Sequence, residues 1–134
     1  MEFLVEQEHG RVAITVLRPE GNIDSSTYEA FQAKARELIE AGARYILIDM
    51  TRVPYVSSAG LRALHNIFNQ LRALHPEDGG AEEDVIKGIK AGTYKSPHLK
   101  IFNFTKEARA AFDMGGFDMY IETFNDRHAA VAAF

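Results

Sequence analysis

Tyr45-Ile46-Leu47-Ile48 is an unbroken apolar run, placed shortly after Gly42 and ended by Asp49. Four consecutive apolar residues bounded by turn signals suit a strand covered on both faces, as in the interior of a parallel sheet. Such a strand needs amphipathic helices beside it. The chain supplies them: Phe31, Ala35, Leu38 and Ile39 recur at helical spacing before the run, and Leu61, Leu64, Phe68 and Leu71 recur after it. The first pattern predicts a helix over about 27–41, closed by Gly42, and the second a helix over about 59–74, stopped by His75-Pro76. Ser26-Thr27-Tyr28-Glu29 matches a capping box for the first helix.

The flanks extend the alternation. Leu4 to Gln7 and Val12 to Leu17 read as strands joined at His9-Gly10, which predicts a hairpin. Leu99 to Phe104 reads as a strand, and Thr105 can cap a helix through Ala108, Ala111 and Phe112 that ends near Gly115-Gly116. Met119 to Glu122 reads as a short last strand, and Asn125 as the cap of a final helix. The order is ββαβαβαβα. It predicts an α/β fold, a mixed β-sheet with an N-terminal hairpin and helices packed against it. With 134 residues, one domain spanning 1–134 is expected. Residues 76–97 interrupt the pattern: Glu77, Asp78, Glu82, Glu83 and Asp84 lead to Lys87, Lys90 and Lys95 among glycines, an atypical loop insertion.

Several kinds of chemistry are disfavoured. The absence of Cys removes disulfides, iron–sulfur clusters and the usual structural zinc sites. The five His residues, His9, His65, His75, His98 and His128, show no metal-ligand spacing, so neither a metal nor a cofactor is expected. No phosphate-cradling glycine loop and no nucleophile elbow occurs, so the chain reads as a non-enzyme. A net charge of −4 argues against direct binding of nucleic acid. No run approaches the ~20 apolar residues that span a bilayer, and a cytoplasmic location is expected. Charge and composition leave the oligomeric state open.

Pro54-Tyr55-Val56-Ser57-Ser58-Ala59-Gly60-Leu61-Arg62 joins the buried strand to its helix. Ser57 or Ser58 can cap that helix, a contribution of about 1 kcal/mol. A phosphate on one of them would instead meet the positive end of the helix dipole, adding charge to an exposed surface without unfolding the domain. Gly60 lets another group approach the helix closely. Leu61, which begins the apolar stripe, reads as a core residue, and Tyr55 can be one too.

Gly21-Asn22-Ile23-Asp24-Ser25-Ser26-Thr27 resembles the G-x-[IL]-D-x-x-T element of STAS domains. Ile46 to Val53 followed by Tyr55 to Leu61 resembles their central strand and signature loop. By pattern the chain is most similar to bacterial anti-sigma-factor antagonists. The resemblance implies a single STAS-like domain that works as a partner switch. Unmodified, the domain binds an anti-sigma factor that is also an ATP-dependent serine kinase; phosphorylated by it, the domain lets go. A serine phosphatase resets the cycle. The family phosphorylates the Ser two positions before the loop Gly, which is Ser58 here, with Ser57 as a fallback. The same pattern places Asp24 on the surface of the phosphorylated loop. Asp24, Ser57, Ser58, Ala59, Gly60 and Arg62 are read as the partner surface, with Asp49 and Thr27 supporting the loop. Ser57 stands where the family pattern has an Asp. The alternative is a scaffold subunit of a sensory or envelope-associated complex, in which the loop Ser is only a cap.

Overall fold

The structure is a computed structural model that describes residues 1–75, 86–89 and 94–134. Five strands form one sheet in the order β1-β2-β3-β4-β5. They are β1 (Glu2–His9), β2 (Ala13–Glu20), β3 (Ile46–Asp49), β4 (Leu99–Phe102) and β5 (Glu122–Phe124). β1 pairs antiparallel with β2, with Glu2 opposite Glu20 and His9 opposite Ala13. The remaining pairings are parallel, with Val16 opposite Leu47, Ile48 opposite Ile101 and Ile101 opposite Thr123. The mixed sheet and the ββαβαβαβα order expected from the sequence are both present.

Besides a single helical turn at 86–89, the helices of the described residues are α1 (Tyr28–Glu40), α2 (Ser58–Ala73), α3 (Lys106–Met114) and α4 (Arg127–Ala133). α1, α2 and α3 are crossovers between neighbouring parallel strands, and every crossover moves one strand in the same direction. Right-handed connections that all move one way place their helices on one face. The core follows that rule. Leu17, Ile46, Ile48, Leu99 and Ile101 point to the face covered by Phe31, Ala35, Leu64, Ile67, Phe68 and Phe112. The alternate residues Ile14, Val16, Leu47 and Phe102 point to the other face, which α4 covers with Ala130. β3 is buried throughout because it has helices on both sides.

α1 ends as its glycine requires. Gly42 has φ 113°, and the N–H groups of Gly42 and Ala43 donate to the carbonyls of Ile39 and Leu38 at 3.0 Å each. This pair of bonds satisfies the last turn through a left-handed residue.

Three expectations shift. The Ser26–Glu29 capping box does not form. Ser26 instead donates its hydroxyl to Asp24 Oδ1 at 2.7 Å, and the Asp24 carbonyl accepts the N–H groups of Thr27 and Tyr28, so the helix entry needs no side-chain cap. The last strand lies later than Met119 to Glu122. Phe117–Met119 is a 3-10 turn after the left-handed Gly116, Tyr120 and Ile121 are buried, and pairing begins at Glu122. Asp126, rather than Asn125, caps α4, its carboxylate accepting from the Ala129 N–H at 2.9 Å. Much of the 76–97 insertion lies outside the described residues. Its returning end is stitched to the rest: Lys95 Nζ donates to the carbonyls of Asp118 and Met119 at 2.9 Å, and the Ser96 N–H donates to the Tyr120 carbonyl at 2.8 Å.

Leu64 lies at the centre of the α2 stripe and is fully buried. Leu64→Ala is expected to lose about 2–5 kcal/mol, read as a lower denaturant midpoint with an unchanged slope.

Candidate functional site

The carboxyl ends of β2, β3 and β4 meet on one edge of the sheet, the place where open α/β sheets present binding loops. The loop after β2 runs against the loop after β3. The Gly21 N–H donates to the Arg52 carbonyl at 2.9 Å, the Ile23 N–H to the Tyr55 carbonyl at 3.0 Å, and the Ser57 N–H to the Ile23 carbonyl at 2.9 Å. Ile23 and Val56 thereby form a parallel bridge outside the main sheet. The loop after β4 joins them. Thr105 Oγ1 donates to the Pro54 carbonyl at 2.9 Å while accepting from the Ala108 N–H at 3.2 Å. Asn103, in the left-handed region at φ 60°, donates from Nδ2 to Thr51 Oγ1 at 3.1 Å.

Gly60 explains why these loops can lie so close. A Cβ there would stand 2.6 Å from the Ile23 carbonyl oxygen and 2.7 Å from Val56 Cγ1. Both are held in place, one by the backbone and the other by a buried side chain. The first turn of α2 thus packs directly on the Ile23–Val56 bridge.

Asp49 and Thr27, expected from the sequence to support the loop, each form hydrogen bonds within their own loop. Asp49 ends β3, and its Oδ1 accepts from the Thr51 N–H at 2.9 Å and from the Thr51 hydroxyl. Thr27 Oγ1 donates to the Asn22 carbonyl at 2.7 Å and accepts from the Asp24 N–H at 2.9 Å, which folds the 22–27 segment on itself. Asp24 Oδ1 in turn accepts from the N–H and the hydroxyl of Ser26. Those bonds, the Ser26 hydroxyl foremost, hold the Asp24 carboxyl below its ordinary value of 3.8. Asp24 therefore carries a negative charge on a partly exposed position beside the loop.

The adjacent serines have different environments. Ser57 is the N-cap of α2, half-buried, with Oγ 3.4 Å from the Gly60 N–H it accepts. Ser58 is the first helical residue and exposed, and its hydroxyl makes no hydrogen bond to the described residues. Ala59 is half-buried, Gly60 is buried and Arg62 is exposed. Leu61 is in the core, as expected, whereas Tyr55 is 48% exposed beside the platform. Tyr55 is not a core residue because Val53 and Val56, on either side of it, take the buried positions of the loop.

One feature was not legible in the sequence. Ser58, Leu61, Arg62 and His65 on α2 face Phe117 and Tyr120 across an open hollow of about 430 Å³. His65 Nδ1 and the Tyr120 hydroxyl share a hydrogen bond of 2.7 Å. Burial, aided by Arg72, lowers the His65 pKa, and burial pushes the Tyr120 phenol up to about 12, so both are neutral at pH 7. The aromatics that follow Gly115-Gly116 carry no motif, and only the 3-10 turn brings them to α2. Among the described residues, no group of His, Asp and Glu is arranged to hold a metal ion, and no helix is long and apolar enough to cross a membrane.

Two outcomes test this geometry. Gly60→Ala should cost about 1–3 kcal/mol and shift the backbone resonances of Ile23 and Val56; an unchanged midpoint and spectrum would contradict the close packing. The Asp24 carboxyl should titrate below 3.8 and move toward that value in Ser26→Ala, as followed by NMR. Because its folded pKa is depressed, its stabilising effect is present above the unfolded value and is lost as pH falls through the folded one.

Residues 5–75 match the STAS domain family. BtrV of Bordetella bronchiseptica, a candidate anti-sigma factor antagonist by name, is 27% identical over 115 residues, covering 86% of this chain and 81% of BtrV. An anti-sigma factor antagonist from Mycobacterium paratuberculosis superposes with a TM-score of 0.72 at 18% identity, over 98% of this chain and 92% of that one. The phosphorylated form of SpoIIAA from Bacillus superposes with a TM-score of 0.59 at 18% identity, over 96% of each chain. The platform at the strand ends is thus built on a shared fold, and the chain belongs to the STAS domain family.

Proposed function

We propose that this protein is an anti-sigma factor antagonist switched by phosphorylation of Ser58. The observation that carries the reading is the contrast between the two serines. Ser57 is used as the helix cap, whereas Ser58 offers a free, exposed hydroxyl on a rigid platform. A kinase can reach Ser58 without unfolding anything, and the hydroxyl has no structural bond to break. The likeness to BtrV over most of both chains supports the same reading.

In the unmodified state the partner is an anti-sigma factor that is itself a serine kinase. It docks on the exposed Ser58 and Arg62 and the partly exposed Asp24 around the buried Gly60, with Ser57 and Ala59 shaping the surface between them. Asp49 and Thr27 keep that surface in place. Transfer of the γ-phosphoryl group of ATP to Ser58 Oγ releases ADP and a proton. It leaves about two negative charges in the middle of the interface. Desolvating such a group against a partner built for a neutral hydroxyl is costly, so the complex separates while the fold persists. A serine phosphatase restores the hydroxyl. The working unit is residues 1–134, since β5 and α4 complete the sheet and its second face, and it acts in the cytoplasm.

The test is a binding titration with the anti-sigma factor encoded by the same organism, before and after incubation with ATP. Tight binding by the unmodified protein, loss on phosphorylation and persistence of binding with ATP in Ser58→Ala are the expected results. Ser57→Ala is expected to retain the switch and to lose about 1 kcal/mol of stability through the cap. Phosphate found on Ser57 instead, or a phosphorylated protein that still binds tightly, would overturn the assignment.

A further inference from the structure

Helix α2 contains no acidic residue from Ser58 to Ala73, although the first turn of a helix is where acidic side chains are most favoured. Arg62 stands four residues after Ser58, so the two lie one above the other on the same helix face. Both line the hollow in front of Phe117 and Tyr120. No carboxylate is available to Arg62 along the helix, since its neighbours at three and four residues are Ser58, Ala59, His65 and Asn66. None of the ion pairs among the described residues involves it either. Other arginines do find partners: Arg109 pairs with Asp113 at 3.1 Å, and Arg127 with Glu8 at 2.8 Å.

We propose that Arg62 is the intramolecular counter-ion of a phosphate on Ser58, so that phosphorylation both adds charge to the platform and withdraws an exposed cation from it. The inference rests on the reading that Ser58 is the modified residue. Its physical content is separate: a planar guanidinium one turn from a phosphoserine can donate two parallel hydrogen bonds to the phosphate oxygens. The other basic side chain on this face, His65, is already bonded to the Tyr120 hydroxyl and sits beside Phe68 and Phe117. Arg62 is therefore the group that can turn toward position 58. In the unmodified protein Arg62 is exposed at the hollow, where a partner carboxylate would find it. One side chain then has two mutually exclusive anionic partners, the phosphate within the chain and a carboxylate outside it.

The test needs neither kinase nor partner. Phosphoserine is placed at position 58 of the full chain by genetic incorporation, and the phosphate is titrated by ³¹P NMR. Arg62 favours the dianion, so the second phosphate pKa, ordinarily about 6, should lie lower in the wild type than in Arg62→Gln by about 0.15–0.4 units. Arg62→Lys should fall between the two, and the difference should collapse in 1 M salt. Helix-dipole effects are common to all three proteins and cancel in the comparison. Equal phosphate pKa values in the wild type and Arg62→Gln, with both proteins folded by circular dichroism, would overturn the proposal. That result would leave intact a phosphate-driven loss of partner binding, which the ATP titration measures independently.

Discussion

The approach of the Ile23 carbonyl to Gly60 is the contact on which the rest of the site depends. The same carbonyl accepts the Ser57 N–H, so one oxygen both receives the loop and sets the height of the helix above it. Any side chain at position 60 would push the start of α2 away from the Ile23–Val56 bridge. The exposed hydroxyl of Ser58 is two residues from that contact and inherits its position. A rigid presentation of this kind lowers the ordering cost of docking a partner.

The platform is held by bonds between loops in addition to the buried side chains of Ile23, Val53 and Val56. Backbone bonds join the loops after β2 and β3, and the Thr105 and Asn103 side chains bring in the loop after β4. The helices behind them carry the apolar load, with Phe31, Leu64, Phe68 and Phe112 buried against the strands. This division lets the surface keep polar, solvent-facing groups while its backbone stays put. It also separates charge by element: Asp24 is held ionised on one loop, and Arg62 stands on an acid-free helix nearby.

Periodicity revealed the frame because burial on a helix or a strand is periodic. The continuous run at 45–48 became the central strand, and the stripes beginning at Phe31 and Leu61 became the two main crossover helices. Motif likeness then singled out the 21–27 and 55–61 segments, which the fold brings together. The errors arose where several short-range partners compete. Ser26 had a choice between a helix N–H and the Asp24 carboxylate, and the carboxylate, two residues away, won. Tyr120 and Ile121 look like strand residues, yet they are buried before pairing starts, Tyr120 against His65 and Phe68 of α2 after the 3-10 turn. Asn125 and Asp126 are equally good caps on paper, and the position of β5 chose between them.

By itself, the sequence determined the class of fold, the order of its elements and the two segments that meet at the strand ends. Those properties follow from local spacing: apolar period, turn residues and the serine pair before Gly60. Tertiary structure decided which serine is free, because Ser57 becomes a cap only once α2 packs on Ile23. It also decided that Phe117 and Tyr120 face Ser58 and Arg62 across a hollow, since residues about 50 to 60 positions apart meet only after β4 and β5 pair. Contacts of that separation depend on where the sheet puts each strand end, and no local pattern encodes that distance.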